Sequence, residues 1–154
     1  MDHRELAAEL FLSDCNCAQA VLEAFGDVTG LEKSFAAKLA SSFGGGMGRM
    51  REVCGAVSGM LMIAGLLYGY DDPGENDVNK KAHYRLVQTL AGEFREKVGS
   101  IICREILDNP PSDPNPTPRT AEFYRIRPCA HMVMTAAGIL DDYIAQHPVA
   151  EQRL

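Results

Sequence analysis

The sequence predicts an all-α fold, a single-domain helical bundle over residues 1–154 with a central, glycine-rich apolar helix. Apolar residues recur at intervals of three and four in several segments, as one buried face of a helix requires. No segment alternates apolar and polar residues as a half-buried strand does. With 154 residues, of which 46% are hydrophobic, the chain is long enough for one domain with a substantial core.

Three apolar patterns in the N-terminal third of the chain each predict a helix. The first helix is short, with apolar residues at Leu6, Leu10 and Phe11, and we expect it to break near residues 13–16. The second carries Ala18, Val21, Leu22 and Phe25. The third carries Leu31, Phe35, Leu39 and Phe43. We expect the third to end at the three glycines of residues 44–46, because glycine commonly terminates a helix.

The central helix is predicted from residues 53–70, which contain no charged side chain. This length is just sufficient for a membrane span, but the amphipathic helices elsewhere favour the core helix of a soluble bundle. The segment contains two GxxxG patterns, Gly55 with Gly59 and Gly65 with Gly69. We expect these glycines to let neighbouring helix backbones approach closely.

The C-terminal half of the chain predicts further helices joined by two irregular segments. After a turn at residues 71–77, an amphipathic helix carries Tyr84, Val87, Ala91, Phe94 and Val98. Ser100 is a suitable cap for a helix over residues 101–107. Residues 108–118 contain five of the eight prolines and therefore predict an extended surface connection. The last helix carries Val133, Ala137, Leu140 and Ile144.

The composition excludes some classes of function. The formal net charge of −6 argues against an electrostatic nucleic-acid surface. Residues 1–10 contain four charged side chains and therefore lack the apolar core of a signal peptide. We therefore expect a cytoplasmic protein with no membrane segment, in which stable disulfides are disfavoured and cysteines are more often catalytic or metal-binding.

Four of the five cysteines fall where a predicted helix begins: Cys17, Cys54, Cys103 and Cys129. Asn16 and Gln19 are typical of an N-cap and its capping-box partner, and Pro128 suits the first position of a helix. The unpaired amides of a first helical turn carry partial positive charge and stabilise a thiolate over a thiol. Because thiolates attack disulfides and bind metals, the pattern predicts sulfur chemistry.

The cysteines also lie within an ordered set of motifs. These are NCAQAV around Cys17, FGGGMGR at residues 43–49, VCGAVSG at 53–59, GSIICREIL at 99–107 and RPCAHMV at 127–133. This set resembles the C_GCAxxG_C_C family, whose proteins are regarded as redox-active. The resemblance implies that Cys17, Cys54, Cys103 and Cys129 are the four characteristic cysteines of that family. Cys15 departs from the family motif.

Three hypotheses about these four cysteines remain open, because none of their spacings is a CxxC or a zinc-finger spacing. In the first, they are the catalytic residues of a thiol oxidoreductase, and a thiolate such as Cys54 or Cys129 attacks an unknown oxidised partner before a neighbouring thiol resolves the mixed disulfide. In the second, the same four cysteines bind zinc or an iron–sulfur cluster, with an electron-transfer or structural role. In the third, they are inert core residues.

Other residues near the cysteines are weaker candidates. Residues 43–49 lack the Lys and Ser/Thr of a phosphate loop, so we expect a tight connection that brings Cys54 to the other cysteines. Arg49 and Arg51 either lower the pKa of a nearby thiol or are solvated. Cys15 is expected to be a surface thiol, and His131 a poor metal ligand. An exposed apolar stripe would favour a homo-oligomer.

Overall fold

The structure is a computed structural model that describes residues 2–72 and 77–149. Within these ranges the chain is helical, as predicted, and its only β pairing is an isolated bridge between Val53 and Ile102. The helices are α1 His3–Leu12, α2 Cys17–Ala24, α3 Gly26–Thr29, α4 Lys33–Ala40, α5 Gly55–Tyr68, α6 Asp77–Val98, α7 Cys103–Ile106, α8 Ala121–Ile126 and α9 Cys129–Gln146. A further single turn at Gly44–Met47 contains the left-handed residues Gly45 and Gly46 and belongs to a loop. The predicted turn at residues 71–77 lies mostly outside the described residues.

The centre of the bundle is α5, as the sequence predicts. It packs against α2, α6 and α9, while α1 lies across α2 and α9. The fully buried side chains of α5 include Val57, Met60 and Ile63. In the part of the chain that the structure describes, no helix has the length and hydropathy needed to cross a membrane.

The first GxxxG pattern is a point of close contact between α2 and α5. A Cβ atom at Gly59 would lie 2.9 Å from the carbonyl oxygen of Ala18 and 3.0 Å from the Cβ of Val21. A Cβ at Gly55 would lie 3.1 Å from the Cβ of Cys17. The second pattern makes no such contact at its first glycine, because a Cβ at Gly65 would have nothing within 4 Å. Only the first pattern therefore brings two helices together.

The third predicted helix is shorter than its apolar pattern and buries a different face. It begins after Glu32, whose carboxylate accepts hydrogen bonds from two first-turn amides, and a 3₁₀ turn over Ser41–Phe43 follows it. The buried residues of α4 are Ala36 and Ala40, whereas Phe35 and Leu39 are 58% and 46% exposed. The small alanine face packs against α2, so the large apolar residues remain at the surface.

One histidine links three helices near the N-terminus. The ring of His3 stacks on Phe25 at a centroid distance of 4.0 Å and contacts the carboxylates of Asp27 and Asp141. Burial opposes protonation of the ring, but the two carboxylates outweigh it and raise the pKa of His3 above 6.5. The charged form of His3 therefore joins α1 to α3 and α9.

We expect Gly59→Ala to destabilise the fold by about 1–3 kcal/mol, because an added methyl group must push α2 and α5 apart. Gly65→Ala is the matched control on the same helix. It has open space and should gain up to about 1 kcal/mol from helix propensity. Urea unfolding followed by circular dichroism measures both changes. Equal stabilities for the two variants would contradict the proposed close contact.

We expect His3→Gln to destabilise the protein more at about pH 6 than at about pH 9. Because the folded-state pKa of His3 is raised, its contribution is fully present below the ordinary histidine pKa and is lost as the pH rises through the folded value. The free energy of unfolding at the two pH values tests this. The exposed His131→Gln serves as a control and should show no such difference.

Candidate functional site

The four cysteines predicted as a set line one cavity of about 330 Å³. Cys17, Cys103 and Cys129 are the first residues of α2, α7 and α9, and Cys54 is the N-cap of α5. The cavity therefore lies where the starts of four helices meet. The sequence-predicted placement of these cysteines at helix starts is confirmed.

Cys54 and Cys103 are brought together by a short antiparallel pairing that follows the glycine-rich connection. The amide of Cys54 donates to the carbonyl of Ile101 at 2.7 Å, and the amide of Cys103 donates to the carbonyl of Glu52 at 2.6 Å. The bridge between Val53 and Ile102 lies between these two bonds. Two segments about fifty residues apart in sequence are thus fixed in register at the site.

The connection over residues 44–51, called the glycine loop below, wraps closely around the cysteines. A Cβ at Gly46 would lie 2.7 Å from the Cβ of Cys103 and 2.8 Å from the Cα of Arg51. Gly46 also has a left-handed backbone with φ of +72°. Glycine is therefore required at this position both for space and for backbone conformation.

Three residues of the glycine loop other than glycine also adopt the left-handed conformation. They are Met47, Arg49 and Arg51, with φ of 68°, 66° and 62°. Such conformations cost on the order of 1–3 kcal/mol each and persist only where the surrounding structure holds them. Here the side chains of Arg49 and Arg51 hold the loop in place by hydrogen bonds to residues 108–118, called the proline-rich segment below.

The proline-rich segment forms one wall of the cavity. It is non-helical, as predicted, and its carbonyl groups accept hydrogen bonds from the glycine loop. Nε of Arg51 donates to Pro111 at 3.0 Å, and Nε of Arg49 donates to Asp113 at 2.8 Å. Nη1 of Arg49 donates to the hydroxyl of Thr117 at 2.7 Å.

Four arginines line the cavity: Arg49, Arg51, Arg119 and Arg127. The sequence indicated the first two, for which it left open a charged or a solvated role, and missed the other two. Arg127 lies two residues before Cys129, and this proximity in sequence could have identified it as a site residue. Arg119 donates to the carbonyls of Phe11 and Cys15, contacts that no local pattern indicates.

Arg51 is the most buried of these arginines, with 3% of its surface exposed. Its Nη1 lies 3.7 Å from the Sγ of Cys103. Its Nη2 is buried and has no hydrogen-bond partner among the described residues. An unpaired buried donor on a charged group is costly, so this atom marks a position where a partner would be stabilising.

The thiol groups differ in acidity, and only that of Cys129 has a lowered pKa. The neighbouring Cys17 thiol lowers the pKa of Cys129, and the positive charges of Arg127, Arg119 and Arg51 add to this against the effect of burial. The same interaction with Cys129, together with burial, raises the pKa of Cys17 well above 9.0.

The other two site cysteines are held in the thiol form. Burial raises the pKa of Cys54 to about 12. Burial also raises the pKa of Cys103, although the hydrogen bond from Arg51 partly offsets it. A position at a helix start therefore does not by itself produce a thiolate. The sequence indicated either Cys54 or Cys129 as the thiolate, and only Cys129 has an environment that lowers its pKa.

The remaining sequence candidates lie away from the cavity lining. Cys15 is half-buried and donates its thiol hydrogen to Glu23 at 3.2 Å, and burial with this contact raises its pKa to about 11. His131 is exposed. All five cysteines are free thiols. Among residues 2–72 and 77–149, no group of three or more His, Cys, Asp or Glu side chains is arranged to hold a metal ion.

Comparison with known proteins identifies the family. A family model described as "Putative redox-active protein (C_GCAxxG_C_C)" matches residues 15–143. The chain therefore belongs to this family, as the motifs predicted. Searches of curated proteins and of solved structures found no match.

We expect Cys129 to be alkylated fastest by iodoacetamide, with a rate–pH profile centred below the ordinary thiol value of 9.0. Cys17→Ala removes the neighbouring thiol that lowers the pKa of Cys129 and should move this profile to higher pH, whereas Cys17→Ser keeps a group that can donate a hydrogen bond and should restore it. Peptide mapping by mass spectrometry identifies the alkylated residue. Cys15→Ala is the control and should leave the profile unchanged. Fastest alkylation at Cys54 would contradict this assignment.

Proposed function

We propose that this family member is a thiol oxidoreductase in which Cys129 is the attacking thiolate and Cys17 is the resolving thiol. The observation that carries the proposal is that Cys17 and Cys129 begin two helices at one cavity, where the Cys17 thiol and three arginines lower the pKa of Cys129 while that of Cys17 is raised. Dithiol chemistry needs two adjacent sulfurs of unequal acidity, one to attack and one to remain protonated until the second step.

In the first step, the Cys129 thiolate attacks one sulfur of a disulfide in the oxidised partner. A new sulfur–sulfur bond forms, the partner's own disulfide bond breaks, and one partner sulfur leaves as a thiolate. The nearby charges of Arg127, Arg119 and Arg51 favour the attacking thiolate. As a residue Cys129 is half-buried, whereas Cys17, Cys54 and Cys103 are buried.

In the second step, Cys17 loses its proton and attacks the Sγ of Cys129. The mixed disulfide breaks, the second partner sulfur leaves, and a disulfide forms between Cys17 and Cys129. Each cycle thus oxidises two protein thiols and reduces one disulfide to two thiols, with the two protons ending on the products. Once Cys129 is in the mixed disulfide it carries no negative charge, so the interaction with Cys129 that raises the pKa of Cys17 is lost and the first step favours the second.

The alternative is a zinc or iron–sulfur site with the four cysteines as ligands. It is supported by their common position around one cavity. The thiol pair has the stronger support, because the described residues contain no metal-binding group of three or more suitable side chains. Under the dithiol proposal, Cys54 and Cys103 are neighbouring thiols whose raised pKa values keep them from competing with Cys129.

Mild oxidation of the reduced, metal-free protein by a small disulfide should consume two thiols per chain. Proteolysis and non-reducing mass spectrometry should then identify one disulfide, between Cys17 and Cys129. Cys129→Ser should abolish the reaction, and Cys17→Ser should stop it at the mixed disulfide, because the resolving sulfur is missing.

Cys15→Ser is the control and should cycle as the wild type does. Stoichiometric iron or zinc in the anaerobically purified protein would support the alternative and contradict the proposal, provided that the metal is absent from a variant in which all four cysteines are substituted. A disulfide between Cys54 and Cys103 would instead contradict the assigned pair.

A further inference from the structure

The cavity has an unusual charge distribution for this chain. The protein carries 21 acidic and 15 basic residues, yet four of the basic residues and no Asp or Glu line the described cavity. Low-dielectric walls strengthen the field of such a cluster and raise the local concentration of anions. The charge of the site is thus opposite to that of the whole molecule.

Two of the four arginines already use their guanidinium groups in contacts within the protein. Arg49 donates through Nε and Nη1 to the proline-rich segment. Arg119 donates to the carbonyls of Phe11 and Cys15, and its guanidinium lies 4.7 Å and 4.9 Å from the ring centroids of Phe11 and Phe123. These two arginines contribute charge, but their geometry is fixed by structural contacts.

The other two arginines, Arg51 and Arg127, have guanidinium N–H groups that could donate hydrogen bonds to a ligand. Nη2 of Arg51 is buried with no hydrogen-bond partner among residues 2–72 and 77–149, although Nε donates to Pro111 and Nη1 contacts Cys103. Arg127 lies over the ring of Phe123 at 5.2 Å, and within the same residues its guanidinium makes no hydrogen bond or ion pair. Its positive charge acts on Cys129.

We propose that the cavity binds a small oxyanion, which accepts a hydrogen bond from Nη2 of Arg51 and is neutralised by Arg127. Guanidinium groups are well suited to oxyanions because their planar donors match the acceptor geometry. A cavity of about 330 Å³ exceeds the size of a single inorganic ion and leaves room for a short organic group.

The backbone conformation of Arg51 supports this proposal independently of charge. A left-handed arginine is rare, and this one is held by hydrogen bonds across the cavity wall. The strain places a charged group in a buried position beside the cysteines, where it contacts Cys103 with only one of its two terminal nitrogens. Strain of this kind is concentrated at ligand-binding sites.

The test is calorimetric titration of the reduced protein with sulfate, with chloride at matched ionic strength as the reference. Sulfate should bind with one site per chain. Arg51→Met and Arg127→Gln should each weaken this binding by about tenfold or more, the loss expected for one charge-assisted hydrogen bond. Arg125→Gln removes an exposed arginine from the same region and should leave the affinity unchanged.

Two further arms complete the experiment. Titration with ethanesulfonate distinguishes a site for a free ion from one for an organic oxyanion, and tighter binding of the sulfonate would assign the organic class. Cys129→Ser abolishes the redox cycle but should bind sulfate at least as tightly as the wild type, because it removes a thiolate that competes for the same arginines, so the anion site and the redox cycle can fail separately. Because Arg51→Met removes a wall contact, circular dichroism checks its fold, and Arg127→Gln provides the second measurement. Heats equal to those of chloride, or equal affinities for Arg127→Gln and Arg125→Gln, would overturn the proposal.

Discussion

The site depends on the close approach of α2 and α5. Neither Gly55 nor Gly59 has room for a side chain, because the backbone of α2 and the Cβ of Cys17 lie against them. Cys54 precedes the first of these glycines and Cys17 begins the opposing helix, so the helix contact sets the positions of two site cysteines at once. The glycines of the CGAVSG segment are thus explained by the packing of α5 against α2.

A second constraint couples the glycine loop to the proline-rich segment. Arg49 and Arg51 adopt strained left-handed conformations, and both donate hydrogen bonds to carbonyl groups across the cavity. These hydrogen bonds maintain the strained backbone conformation, and that conformation directs the guanidinium of Arg51 toward Cys103. Apart from a single turn at Gly44–Met47, neither segment has regular structure, so the hydrogen bonds between the two segments order both. This explains how two irregular segments can form a defined wall.

Local sequence patterns predicted most of the fold and the positions of the cysteines. Asn16 and Gln19 form the predicted capping box, because capping chemistry is local. The prediction for the third helix was less accurate, since Ala36 and Ala40 are buried while larger apolar residues are exposed. Apolar spacing identifies a helix, but it does not show which face a neighbouring helix can approach. Arg119 could not be predicted as a site residue, because its contacts are with distant parts of the chain.

The pKa values of the four site cysteines differ although all four lie at helix starts. A helix-start pattern in the sequence therefore indicated where the cysteines lie, but not which of them is the most acidic. The partial charge at a helix start is modest and is smallest for a four-residue helix such as the one that begins at Cys103. Burial raises the pKa values of Cys54 and Cys103 despite their placement. Cys129 differs because the Cys17 thiol and three arginines act on it from other parts of the fold. The difference in pKa among the thiols is therefore a property of the assembled cavity, in which the helix starts supply the positions and the side chains from distant segments supply the charge.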